Sequence, residues 1–92
     1  MELQPNKPVS DDYVVTNDDL GWVLLASGDV VFPGILQTGF YATVINDRGG
    51  TVGILTPGTT LRSPSGGAAL TAINSSTTVL KLPGNTWFAF GI

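Results

Sequence analysis

Apolar residues in this chain alternate with polar ones at a period of two, in short runs cut by Gly, Pro, Asn and Asp. Phe40, Ala42 and Val44 fall on one side of an extended segment. Tyr41, Thr43 and Ile45 fall on the other, and Asn46 ends it. Segments 13–16, 30–32, 51–56, 59–62, 68–73, 77–82 and 86–92 read as further strands, rich in β-branched and aromatic residues. Segment 22–26 is continuously apolar and predicts a strand buried on both faces, with Trp22 in the core. Turn residues separate these runs. Asn46–Gly50 reads as a hairpin loop with 51–56 as its return strand, and Pro83-Gly84 suits a type II turn closing a terminal hairpin.

No segment keeps apolar spacing at helical period over three turns. Eleven Thr and 12 Gly among 92 residues disfavour helix further. Strand signals recurring every 8–12 residues mark an all-β fold: a single compact antiparallel β-sandwich or barrel. Residues 13–92 form that domain. Residues 1–12 read as an extended N-terminal arm, because Pro5 and Pro8 exclude helix and favour extended backbone. Such an arm is either a frayed end or a segment that reaches a neighbouring subunit with Leu3, Pro5 and Pro8, over at most about 40 Å.

Composition changes the picture in one respect. Only 12% of residues are charged, four basic and seven acidic, against 42% hydrophobic. So few charges leave two solutions: a surface of Thr, Ser, Asn and Gly, or a surface partly buried against partners. The net charge is −3, and the basic residues Lys7, Arg48, Arg62 and Lys81 are scattered singly. That argues against tracking a phosphate backbone and against a polybasic membrane anchor. The first eight residues lack the apolar stretch of a signal peptide, and no apolar run approaches the ~18–20 residues of a membrane-spanning helix.

Cysteine and histidine are both absent. This excludes disulfides, thiolate or imidazole metal sites, and Ser–His–Asp or Cys–His nucleophilic machinery. The carboxylates that remain lie in turns, where Asp serves the backbone, and none forms an evident acid/base pair. Asn17-Asp18-Asp19 lacks the alternating ligand ladder of a calcium loop. The paired glycines lead into no helix and no Gly-Lys-Ser/Thr sequence, so they are turn residues, not phosphate cradles. The chain reads as a non-enzyme without cofactor or metal.

The aromatics are the candidate contact residues. Tyr41 and Trp87 sit in strands with polar neighbours, as partner anchors or sugar platforms do, although ordinary strand packing would place them there too. Phe88 and Phe90 alternate with Trp87 and Ala89, so one of these two pairs faces outward to a partner.

A series of short signals runs through most of the chain in order: Asp19-Leu20-Gly21, Val31-Phe32-Pro33, Gly39 to Asn46, Gly50-Thr51-Val52, Pro57 to Thr60, and Asn85-Thr86-Trp87. The series resembles small all-β modules found in virion proteins of tailed bacteriophages. The resemblance implies a role on the particle exterior, after synthesis in the host cytoplasm, and a homotrimer. Such modules are generally parts of much longer fibre chains. The short segment preceding the module here points instead to a capsid decoration (cement) protein bound to the major capsid protein. The alternative is a tail-fibre, tail-tip or head-fibre module that touches host glycan or protein through Tyr41 and Trp87.

Overall fold

The computed structural model describes residues 5–92. It contains ten strands: β1 (Asn6–Val9), β2 (Tyr13–Val14), β3 (Val23–Ala26), β4 (Val30–Val31), β5 (Tyr41–Asn46), β6 (Val52–Leu55), β7 (Thr60–Arg62), β8 (Ala69–Leu70), β9 (Ser76–Leu82) and β10 (Thr86–Ala89). One 3₁₀ turn, Asn17–Asp19, is the helical element among the described residues. The all-β prediction holds. Two sheets share one core: six strands in the order β1-β3-β5-β9-β10-β7, and four in the order β2-β4-β6-β8.

The pairing departs from the antiparallel expectation. Strands β1, β3 and β5 lie parallel in the larger sheet, and β2, β4 and β6 lie parallel in the smaller one. Strand β7 is parallel to β10. Antiparallel pairing is confined to β5–β9, β9–β10 and β6–β8. The physical reason is the path of the chain. From β1 to β6 each turn carries it from one sheet to the other, so it coils. Neighbours within a sheet then run the same way, and each crossover a parallel pair requires contains a strand of the opposite sheet.

The turn 46–50 shows this directly. It is not a hairpin loop, because it delivers the chain from β5 in the larger sheet to β6 in the smaller. Buried Asn46 holds the crossing. Its Nδ2 donates to the Gly50 carbonyl at 2.6 Å and the Leu70 carbonyl at 2.9 Å, and its Oδ1 accepts from the Arg48 N–H at 3.0 Å. The terminal hairpin does form: β9 and β10 pair antiparallel, and Gly84 has the positive φ (82°) that the second central position of a type II turn needs.

Residues 6–9, expected within the arm, are the edge strand β1 of the larger sheet. The Val23 N–H donates to the Pro5 carbonyl and the Ser27 N–H to the Val9 carbonyl, so odd-numbered residues bond inward. Pro8 falls at an even position and costs the ladder nothing. Leu3 lies outside the described residues. Strand β3 alternates buried and half-buried positions and is not covered on both faces, and Trp22 just before it is partly buried.

The core lies between the sheets. Leu24, Ala42, Val44, Val79 and Trp87 enter from the larger sheet, Val30, Val52, Ile54 and Leu70 from the smaller, and Phe32, Leu36 and Phe40 from the connections. Trp87 is its largest fully buried side chain, with ring centroids 5.2 Å from Phe32 and 6.2 Å from Phe40.

Candidate docking interface

Alternation sends every second residue of the six-stranded sheet away from the core, and register brings those residues into rows. One row runs Tyr41, Leu80, Phe88, Arg62 across β5, β9, β10 and β7. A second runs Asn6, Val23, Thr43, Thr78, with Phe90 beyond it through its N–H bond to the Thr78 carbonyl. A third runs Pro8, Leu25, Ile45, Ser76. This outer face is therefore mostly aliphatic and aromatic, with hydroxyls and the Asn6 amide among them and one charge, Arg62, on the β7 edge strand.

The face is ordered by its own contacts. Phe88 and Phe90 lie with ring centroids 4.9 Å apart. Thr43 and Thr78 share a hydroxyl hydrogen bond of 2.9 Å, which satisfies two polar groups without presenting charge. Phe90 is 57% exposed and Tyr41 47%, so solvent reaches both rings.

Of the residues singled out as contacts, Pro8, Tyr41, Phe88 and Phe90 thus meet on one surface. Pro5 is exposed beside the start of β1. Trp87 is corrected: it is fully buried between the sheets, so it cannot contact a partner. Alternation separates Trp87 from Phe88 but carries no information on which of them faces the second sheet. The outward Val23, Leu25, Ile45 and Leu80 were missed, because half-buried aliphatics in strands read as core.

Two polar clusters brace the fold beside this face. Asp19 is fully buried. Its Oδ2 accepts from the Tyr13 hydroxyl at 2.7 Å and the Thr16 N–H at 3.0 Å, and its Oδ1 pairs with Lys7 Nζ at 2.6 Å. Burial pushes the Asp19 carboxyl up, but Lys7, the Thr16 N–H and the Tyr13 hydroxyl together hold it below its ordinary value. Lys7 is pushed up to about 12, chiefly by its bond to Asp19. Its ammonium also lies 5.2 Å from the Tyr13 ring centroid and 5.1 Å from that of Trp22. The cluster ties β1 to the 3₁₀ turn.

The second cluster centres on Lys81, buried on the inner side of β9. Its Nζ donates to the carbonyls of Gly34 (3.2 Å) and Leu36 (3.0 Å) and sits 5.6 Å from the Trp87 ring centroid. It fastens the connection between β4 and β5 to the core.

A shallow groove of about 380 Å³ lies among Asn17, Leu20, Gln37, Thr38, Gly39 and Phe40. Among the described residues no group of three or more acidic, His or Cys side chains is placed to hold a metal ion. No helix of the described residues is long and apolar enough to cross a membrane. Comparison with protein-family models, with curated proteins and with solved structures finds no match.

Proposed function

We propose that this chain is a non-enzymatic structural protein of a tailed-phage particle, a two-sheet sandwich that decorates the outer surface of the head lattice in self-associated form and stabilises it. The observation that carries the reading is the outer face of the six-stranded sheet. An apolar, nearly uncharged sheet surface centred on Tyr41, Leu80 and Phe88 is unfavourable in water and favourable when covered. Covering it against other virion subunits adds buried area that resists expansion of the shell. No chemistry is needed for that role.

The test is binding of the purified chain to undecorated phage shells, read as copies per particle and as the temperature at which the shells open. Saturable binding at hundreds of copies, with a raised opening temperature, is the expected result. Absence of binding to shells of the source phage overturns the reading. Removing residues 2–10 is not a clean probe of the arm, because it deletes β1 and the Lys7–Asp19 pair.

The tail-fibre or tail-tip reading keeps one supporting observation. The exposed Tyr41 ring follows directly in the chain on Gly39 and Phe40, whose groove also carries the Asn17 and Gln37 amides and the Thr38 hydroxyl. The amides and hydroxyl of that groove suit sugar hydroxyls. Host-glycan binding that is lost in Tyr41→Ala with folding intact would favour it, and a few copies per particle would place the chain on the tail.

A further inference from the structure

We infer that the occupant of the outer face of the six-stranded sheet is the same face of another copy of this chain. The inference rests on the reading above that this face is covered in the working state, and it names what covers it.

Charge is the first argument. The outward rows, with Leu82, Thr86 and Thr60 forming a further one, hold apolar side chains, hydroxyls and the Asn6 amide, and Arg62 on the edge strand β7 is their one charged residue. A face with a single charge at its edge offers little for an oppositely charged partner to read. It needs no complement other than its own chemistry, which is the condition for a self-complementary contact. Edge-to-edge pairing at β1 is blunted by Pro8, whose missing N–H points away from β3.

Area is the second. Six strands about 4.8 Å apart span about 24 Å, and the central strands run roughly 13–23 Å at about 3.3 Å per residue. The projected area is on the order of 500 Å². Side-chain relief raises the accessible area toward the ~800 Å² per partner of a standard stable interface. Two such sheets would pack about 10 Å apart, as sheets do within a single core.

The experiment is sedimentation velocity and light scattering on the full chain from about 1 to 500 µM. The chain mass is 9.6 kDa. The wild type is expected at twice that mass at high concentration, since a same-face contact closes on two copies. Phe88→Glu or Phe90→Glu puts like charges into the contact and should weaken association by at least about 100-fold, with an unchanged circular dichroism spectrum. Phe90 is more than half exposed, so Phe90→Glu keeps the test valid if Phe88→Glu does not fold. Val14→Glu, on the outer side of the smaller sheet, should leave the oligomer intact. A Thr43→Cys thiol in this cysteine-free chain should be protected in concentrated protein and react on dilution. A wild type that stays at 9.6 kDa to 500 µM overturns the inference. So does an oligomer that survives both Phe variants or is broken by Val14→Glu. Shell binding by a monomeric wild type would sink self-association while leaving the decoration reading standing. An oligomer indifferent to shells would do the reverse.

Discussion

Replacing Asp19 by Asn keeps the shape of a fully buried side chain and removes its charge. The carboxylate makes three polar contacts, to the Tyr13 hydroxyl, the Thr16 N–H and Lys7 Nζ. An amide has one acceptor oxygen, so its NH₂ must face a donor wherever it turns. Removing one partner of a buried ion pair costs about 3–5 kcal/mol when the other charge is stranded. Here Lys7 is about one-third exposed and can turn to water, so the expected loss is about 2–4 kcal/mol. Against a stability of roughly 5–14 kcal/mol for a domain of this size, that is a large fraction.

The assay is urea unfolding followed by Trp fluorescence between pH 2 and pH 8. Asp19 has a lowered pKa in the fold, so its contribution is complete above the ordinary carboxylate pKa of about 3.9 and is lost as pH falls through the lower folded value. Lys7 has a raised pKa, so its share is complete below about 10.4 and is lost only as pH rises through about 12. At pH 7 both contributions are fully present. The wild type should therefore lose more stability than Asp19→Asn below pH 4, and the two curves should converge. A loss under about 1 kcal/mol at pH 7, or parallel curves down to pH 2, would refute the account of this cluster.

Three further outcomes follow from the core. Trp87→Ala should cost about 3–5 kcal/mol by urea unfolding, while Trp87→Phe should cost about 1–2 kcal/mol, because it leaves a smaller cavity and removes a buried indole N–H with no acceptor among the described residues. Lys81→Met should destabilise by about 1–3 kcal/mol and speed hydrogen exchange in residues 34–38, whose carbonyl anchors to Nζ are lost. Asn46→Ala should cost about 2 kcal/mol or more, since it strips partners from the Gly50 and Leu70 carbonyls; Asn46→Asp, which cannot donate, should fare no better in chemical denaturation.

Much of the local structure was legible in the chain. Period-two alternation announced strands, Phe40, Ala42 and Val44 shared one face as read, which the structure makes the core side, and Pro83-Gly84 closed the terminal hairpin. The polar clusters were less visible. Lys81 occupies an inward position of β9 that pattern alone would assign to an apolar residue, and only the carbonyls of a connection some 45 residues earlier make it tolerable. Gly28 lies in the turn between β3 and β4. Its smallness also serves packing, because a Cβ there would come 2.5 Å from the Asp11 Cα.

The sequence by itself determined the extended backbone, the places where it turns and the scarcity of charge, because these depend on residue type and on neighbours a few positions away. Which sheet each strand joins was decided in three dimensions, and with it the parallel coil from β1 to β6. A crossover and a hairpin use the same turn residues and differ only in where the next strand finds its partner. The same holds for Trp87 and Phe88. Adjacent residues of one strand must face opposite ways, and the buried side is whichever meets the second sheet.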